Sequence, residues 1–541
     1  MLKKRYWKPI AGIMFLIMFL AAVLFFYYLL ITDLLIPEYL ALVTAVVVLF
    51  VYGSGVLLFY GMRKKPSSHR RFRRIIGVVL AILTSVVCLI GAYLLSGINN
   101  AKEEVVKTES DTPRAVLGVF VKKDDPAQDL STAKDYTYGV ILLGDEGLNT
   151  NHALGVINRQ LGKEISVSVY PSISDAAAAL RDDSIQALLV NKFFISILKD
   201  TESYKTLSDE IRCIEEIPIP SNVSLENTNL YVGKDVVVDT SRSRARTDKN
   251  SSVDESGKST TLIRNRYGEN TPLIFYISGM DNAGQEVTNA HSDVNILLLF
   301  NSQTKQIFMV NTPRDYYVLN PALGGGDKLT HCGYQGVYNS IAALEDLYRI
   351  RIDNYCRLNY DGFIGFIDAI GGITLDNPTP FWNHLHTHYF ESGTLTLDGE
   401  SALLFARERE AFGDGDLARG RNQIRVITAI INKMKTSGAT ILMNYTDILD
   451  SMAGSFETDL TSQEISDLVK VVSKDLSNWD VKSYSVSGYS GMRETASTGN
   501  EILYILFPKQ DTVEFASELI EMVLNNEYIT DDILANAPSP Y

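Results

Sequence analysis

The sequence predicts an α/β protein with three N-terminal transmembrane helices, a small α/β accessory domain, and a larger α/β domain whose mixed sheet is covered by helices on both faces. Three observations predict it. Three uncharged runs fill most of the first hundred residues. Apolar strand-like runs then alternate with helical patterns, and that alternation resumes after a polar stretch at 239–265. The boundaries read as 1–100 for the membrane anchor, 101–238 for the accessory domain, 239–265 for a linker or long loop, and 266–541 for the larger domain.

The anchor comes first. No charge lies between Lys8 and Asp33, between Glu38 and Arg63, or between Arg74 and Lys102. Each run can span ~30 Å of hydrocarbon at 1.5 Å per residue. The first is too long for a cleavable signal peptide, and a second span follows at once. Lys3, Lys4 and Arg5 precede the first span, and Arg63, Lys64, Lys65, Arg70, Arg71, Arg73 and Arg74 fill the loop before the third. The positive-inside rule then puts the N-terminus and this loop in the cytoplasm and everything after Asn100 outside. Uncharged spans offer no ion path, so they read as an anchor and assembly surface.

The accessory domain reads as strands at 115–121, 139–143, 165–170 and 185–190, with a helix at 149–161 capped by Asn149 or Thr150 and another at 174–181. It shows no nucleophile constellation. In the larger domain, PLIFYISGMD, VNILLLF and KQIFMV read as buried strands, with helices at 338–348, 360–370, 424–434 and 462–476 to cover them.

Composition excludes several classes. A net charge of −14 over 541 residues argues against nucleic-acid binding. Cys88, Cys213, Cys332 and Cys356 are too few and scattered for a disulfide scaffold or a CxxC metal site.

The candidate chemistry lies in the larger domain. Asp281 follows one strand and Asp293 stands just before the next, so two carboxylates at adjacent strand ends can share a hard cation; paired loop aspartates also serve as turn formers. In the segment NTPRD, Pro313 enforces an extended approach that can aim Arg314 back across those strand ends. ALLFARERE AFGDGDLARG RNQ sets Arg407, Arg409, Arg419, Arg421 and Gln423 beside Asp416, at the start of a helix expected near Ile424. It reads as a polyanion site, where guanidinium forks and the positive helix end add, or as a solvated patch of internal Arg–Asp pairs. His291, two residues before Asp293, lies close to the same anionic site, and His331 reads as structural. On a strand, His384, His386 and His388 would share one face and suit a transition metal, but FWNHLHTHYFESG looks like an aromatic surface loop.

With Asp281, Asp293, the TPRD turn and the RER…GD..R.RNQ segment in view, the chain resembles the LytR-CpsA-Psr (LCP) family. The likeness runs from near Leu273 to near Met434 and takes in DKLTHCGYQGVYNSIAALEDLYRIRIDNYCRLNYDGF, IDAIGGI and LDGESALLFARERE. Three spans followed by a small accessory domain resemble its capsule-assembly members. The resemblance implies transfer of a glycan phosphate, from capsular polysaccharide or a similar wall polymer, off a polyprenyl-pyrophosphate carrier onto peptidoglycan. The setting would be the outer face of a Gram-positive cell membrane, with capsule-assembly membrane proteins as partners.

By the same resemblance, Asp281 and Asp293 would hold Mg²⁺, with Mn²⁺ as the alternative. Arg314, Arg407 and Arg409 would grip pyrophosphate oxygens, Arg419 and Gln423 would complete the head-group site, and Asp416 matches the family's essential carboxylate. Family members usually carry Arg where this chain has His291, which removes one permanent charge and opens substrate binding to pH. In the implied phosphoryl transfer a muramic acid hydroxyl attacks phosphorus, with Asp416 as first choice of base and Asp315 as second. Two other functions remain open at this level: a pyrophosphatase acting on the same donor, and a membrane-anchored lipid-binding regulator of capsule synthesis.

Overall fold

The structure is a computed structural model that describes residues 4–33, 35, 37–59, 68–106, 115–142, 146–199, 201–220, 229–231, 272–281, 291–443, 448, 451, 455–473, 479–499 and 501–539. The 239–265 linker lies outside the described residues, as do Lys3, Arg63, Lys64 and Lys65.

Three long helices come first: α1 (Lys4–Thr32), α2 (Pro37–Phe59) and α3 (Ser68–Val106). Within them Lys8–Thr32, Pro37–Phe59 and Phe72–Asn100 are long and apolar enough to cross a membrane. Their buried contacts use small residues, as helices in lipid do: Ala11 and Ala81 are buried with Met18 and Leu58. At Gly77 the α3 backbone comes so near α2 that a Cβ would lie 2.8 Å from Leu58 N. The outward faces carry exposed Leu16, Leu49, Val87 and Tyr93.

The accessory domain contains β1 (Ala115–Lys122), β2 (Thr137–Ile141), α4 (Glu146–Leu161), β3 (Ser166–Tyr170), α5 (Ile173–Arg181), β4 (Ala187–Asn191), α6 (Lys192–Leu198) and β5 (Ile211–Ile219). The strands form one mixed sheet in the order β3-β2-β4-β1-β5. β2 runs parallel to β3 and β4, and β1 runs antiparallel to β4 and β5. Its core joins Leu117, Val119, Tyr138 and Val140 to Leu148, Leu154 and Ile157 of α4. The helix expected from Asn149 or Thr150 begins earlier, at Glu146, so neither residue is its cap. Both are buried within the helix, and the Thr150 hydroxyl donates to the Ile141 carbonyl at 3.3 Å. Ser172 caps α5 by accepting from Asp175 N–H.

The larger domain begins with β6 (Leu273–Met280), β7 (Ser292–Asn301), β8 (Gln306–Asn311), β9 (Tyr317–Asn320), β10 (Gly325–Lys328), α7 (Val337–Tyr348), β11 (Asn354–Leu358), α8 (Tyr360–Ala369), β12 (Ile373–Asn377), β13 (Phe381–Trp382), β14 (Tyr389–Phe390), β15 (Gly393–Leu397) and α9 (Gly399–Arg407). There follow α10 (Asp416–Met443), β16 (Phe456–Thr458), α11 (Ser462–Ser473), β17 (Asp480–Ser485), β18 (Gly488–Glu494), β19 (Ile502–Pro508) and α12 (Gln510–Leu524). Six strands make the central sheet, in the order β16-β11-β6-β7-β8-β17. It is mixed as expected: β6 pairs parallel with β11 and antiparallel with β7, and β8 pairs antiparallel with β7 and parallel with β17. Alternation sends Ile274, Tyr276, Leu297, Leu299, Phe308 and Val310 into a core with Ile341 and Leu344 of α7 and Ala516, Leu519 and Ile520 of α12. Phe275, Ile296, Ile307 and Met309 are buried on the opposite face.

One helix differs in extent from its expected 424–434. α10 starts eight residues earlier at Asp416 and continues to Met443. The inward face of its first two turns is built from Ala418, Arg419, Asn422 and Gln423, all buried, so hydrophobic periodicity marks only its continuation.

The chain divides into two compact units. One contains residues 1–106, 437–453 and 460–477, the other 107–436, 454–459 and 478–541. Within the first, α11 is tied to the end of α1: Gln463 Nε2 donates to Asp33 Oδ2 at 2.8 Å, and the Ser466 hydroxyl to the Thr32 carbonyl at 3.3 Å. Within the second, the accessory domain and the larger domain share a core in which Phe193, Phe194 and Ile173 pack with Leu323 and Tyr334.

Candidate active site

The register of three neighbouring strands collects the site at one end of the central sheet. β6 ends at Met280, paired with Ser292 of β7, so Asp281 falls opposite His291. Asp281 Oδ2 lies 3.0 Å from His291 Nδ1. Asp293, expected just before the strand, is the second residue of β7, and β8 ends beside it with Asn311 paired to Ile296. The chain then turns through Pro313, and Arg314 reaches back so that Nη1 donates to Asp293 Oδ1 at 2.6 Å.

The next segment reinforces that end. Thr330 N–H donates to the Arg314 carbonyl and Leu329 N–H to the Tyr316 carbonyl, both at 2.9 Å. This holds Lys328 Nζ 3.1 Å from Asp315 Oδ1, a buried ion pair. It also buries His331 wholly, with Nδ1 2.7 Å from Asp327 Oδ1 and 2.9 Å from Ser497 Oγ. Burial depresses the His331 pKa, against the pull of Asp327. The structural reading of His331 therefore fits its setting.

α10 closes the site from above the strand ends. A Cβ on Gly420 would meet Asn311 Nδ2 at 2.2 Å, so any larger residue there would have to displace the buried Asn311 amide at the end of β8. Asp416 pairs with Arg419 one turn on, and Gln423 Nε2 reaches the Asp293 carbonyl at 3.5 Å. Burial raises the Asp416 pKa, and Asp315 and Asp293 add to the rise while Arg419 and Arg314 oppose it. Asp293 moves the other way. Burial works against its ionisation, but Arg314, Arg419 and His291 more than offset it and hold the carboxyl below its ordinary range. Asp315 is likewise lowered, with Lys328 and Arg314 outweighing burial. Neighbouring carboxyls are thus driven apart, Asp293 and Asp315 toward the anion and Asp416 toward the acid.

Residues 230–519 match the LytR_cpsA_psr family, slightly more than half of the chain. The chain belongs to the LytR_cpsA_psr family. It is 30% identical over 218 residues to the polyisoprenyl-teichoic acid–peptidoglycan teichoic acid transferase TagU of Bacillus cereus, covering 40% of this chain and 69% of that one. It is 31% identical over 224 residues to the transferase of the same description, TagT, of Bacillus subtilis, covering 40% of this chain and 67% of that one. A solved structure titled TagT bound to LI-WTA aligns at 25% identity with a TM-score of 0.39, covering 48% of this chain and 92% of that one.

Of the residues singled out in this LytR_cpsA_psr chain, Asp281, His291, Asp293, Arg314, Asp416, Arg419 and Gln423 come together through the contacts above. Arg407, the last residue of α9, is exposed, and its guanidinium lies 4.3 Å over the Tyr360 ring. Arg409 is exposed on the connection to α10, outside the hydrogen-bonded cluster. The intervening Glu408 is buried and turned away, accepting from the backbone N–H of His384 at 2.7 Å and of Ala411 at 2.9 Å. Arg421, itself exposed, pairs with the half-buried Asp414 at 2.6 Å.

The three histidines do not share a strand face. They occupy the turn joining β13 to β14, which Asn383 organises by accepting from Thr387 and His388 N–H, with His386 left-handed at φ 53°. No group of three or more His, Cys, Asp or Glu assembles as a metal cage among the described residues.

Tyr360 is the site residue that the sequence reading missed. It is the first residue of α8, which Asn359 caps, and Asp293, Asp281, Arg407 and Arg419 all act on it electrostatically. Burial above all pushes its hydroxyl up to about 12. That hydroxyl makes no hydrogen bond among the described residues. The NYDGF of the family-like segment was the available signal, a tyrosine at a helix start with nothing in its pattern to separate it from core.

Proposed function

We propose that this protein is a membrane-anchored phosphotransferase that moves a glycan phosphate, capsular polysaccharide or a similar wall polymer, from a polyprenyl-pyrophosphate carrier to peptidoglycan. The observation that carries the reading is the set of fixed cations, Arg314 and Arg419 with Arg407 nearby, gathered over carboxylates whose pKa values are driven apart. Such forks fit phosphate oxygens, and the N-terminus of α10 adds its dipole to the same point. The named activity of the TagU and TagT relatives supports the choice of a lipid-linked glycopolymer as donor and peptidoglycan as acceptor.

In this reading Arg314, Arg407 and Arg419 bind the diphosphate, and the Tyr360 hydroxyl donates to one of its oxygens. An acceptor hydroxyl oxygen forms a bond to the sugar-linked phosphorus as the bond to polyprenyl phosphate breaks, the electron pair leaving with that phosphate. Asp416 takes the hydroxyl proton, a role suited to a carboxyl with a raised pKa. Asp281 and Asp293 supply hard oxygen donors on adjacent strand ends. The Asp281 side chain is 30% exposed, and Asp293 meets Arg314 through only one oxygen. That donor set fits Mg²⁺, which takes one or two protein carboxylates and completes its shell with water and phosphate. When bound, the ion would neutralise diphosphate charge. The three apolar spans anchor this site to the cell membrane, and the basic loop before the third sets the N-terminus inside and the site outside.

The test incubates the full-length protein in detergent with Mg²⁺, a lipid-linked oligosaccharide and peptidoglycan, and analyses the products. Glycan covalently joined to peptidoglycan through phosphate is expected. Release of glycan phosphate into solution despite the acceptor would make the protein a pyrophosphatase instead.

A further inference from the structure

Contacts between the accessory domain and the larger domain continue inward by two separate routes, and both end on His291. The first is a stack of rings. Phe193, on α6 of the accessory domain, lies parallel to Tyr334 with ring centroids 5.3 Å apart and planes at 20°. Tyr334 in turn meets His291 edge-on, at 4.5 Å and 63°. His291 Nδ1 then sits 3.0 Å from Asp281 Oδ2.

The second route is polar. The Ser174 hydroxyl, at the start of α5, donates to the Thr498 carbonyl at 2.8 Å, and a Cβ on Gly499 would meet Ser172 Cβ at 2.2 Å. The neighbouring Ser497 hydroxyl lies 2.9 Å from both Asp327 Oδ1 and His331 Nδ1. The His331 ring stacks on His291 at 5.7 Å and 28°. His291 is therefore bounded by Tyr334, His331 and Asp281; Tyr334 packs directly on the accessory domain, and His331 bonds to Ser497, whose neighbour Thr498 accepts from Ser174 of that domain.

We propose that the accessory domain is a positioning element of the diphosphate site, with Phe193 and Tyr334 fixing the His291 ring and, through it, the Asp281 carboxylate. An imidazole that must hold a carboxylate in one orientation needs its own ring plane set by packing. Here the plane is set across a domain boundary. Phe193 and Tyr334 touch no reacting atom, so they are positioning residues rather than catalytic ones. The ligand of the site is the one given under Proposed function, and the inference rests on that reading for its binding arm.

The test uses the full-length protein in detergent with geranylgeranyl pyrophosphate and Mg²⁺ as probe. Tyr334→Leu is expected to weaken probe binding about tenfold, the loss typical of a disturbed supporting shell. Tyr334→Phe, which keeps the ring, should bind like wild type, and Phe193→Leu should follow Tyr334→Leu. In a His291→Ala background, Tyr334→Leu should add less than about twofold, since the side chain it positions is gone. A full additional loss there, or unchanged binding in the single variant, overturns the proposal. A second readout needs no ligand. With ¹³C-labelled histidine, the His291 ring signal, assigned by its loss in His291→Ala, should move in Tyr334→Leu and Phe193→Leu, and a signal that stays in place in both overturns the positioning role. If it moves while wild type fails to bind the probe, the positioning stands and the diphosphate reading falls.

Discussion

Arg314 Nη1 sits 2.6 Å from Asp293 Oδ1, joining the turn after β8 to the start of β7 across the end of the sheet. Each side chain is less than one-fifth exposed. Asp293, Asp315 and Asp416 together raise the Arg314 pKa despite its burial, so the guanidinium is a permanent cation. Arg314→Ala is expected to lower kcat/KM for transfer by about 10²-fold or more, the scale seen when one preorganised electrostatic group is removed. Arg314→Lys should recover only part of this, because an ammonium cannot span two oxygens as a fork does. Near-normal transfer by Arg314→Ala would remove it from the site.

Asp416 offers a test in which stability and activity move in opposite directions. Its folded pKa is raised, so protonation contributes stability at pH below the unfolded value of about 3.9, and this is lost as pH rises through the folded value. At neutral pH the buried anion is a net cost that asparagine does not carry. Asp416→Asn should therefore melt no lower than wild type at pH 7, while transfer falls by at least about 10²-fold. A marked drop in melting temperature at pH 7 would show that its pairing with Arg419 dominates instead.

Asp315 carries the reverse sign. Its folded pKa is lowered, so its stabilisation is present above about 3.9 and lost as pH falls through the folded value. Asp315→Ala leaves Lys328 buried without its partner and should cost about 3–5 kcal/mol at pH 7 in denaturant unfolding. The difference from wild type should shrink as the solution is acidified below about pH 4; a constant gap across that window would contradict the assignment.

Tyr360 separates binding from folding. Its buried hydroxyl makes no hydrogen bond among the described residues, so Tyr360→Phe should leave stability unchanged or raise it by about 1 kcal/mol. The same change should weaken binding of a polyprenyl pyrophosphate, because the lost group is a proton donor at any physiological pH. Equal affinity for wild type and variant, measured by calorimetry, would end its assignment to the site.

How far the sequence was legible follows from what each residue packs against. β6, β7 and β8 were readable because they are short apolar runs with turn signals at their ends, and the extended approach set by Pro313 foretold the reach of Arg314. The start of α10 was not readable, since the face it buries there is Arg419, Asn422 and Gln423, residues that pattern as surface. Asp416 therefore opens a helix that hydrophobic periodicity alone begins eight residues later, near Ile424. Tyr360 stayed hidden for a different reason. Its partners, Asp281, Asp293, Arg407 and Arg419, are brought to it from separate elements, and no local spacing encodes that meeting.

The division of the chain within α10 bears on how the protein can be handled. Residues 437–453 and 460–477 belong with the three apolar helices, and Gln463 and Ser466 of α11 are bonded to Asp33 and Thr32 at the end of α1. Cutting before Lys102 to obtain a water-soluble enzyme would strip these segments of their partners while retaining the helix that carries Asp416 and Arg419 at its other end. Assays and crystals of such a trimmed protein would report on a catalytic head with a frayed hem, whereas detergent, nanodisc or amphipol preparations of the intact chain keep the fabric whole.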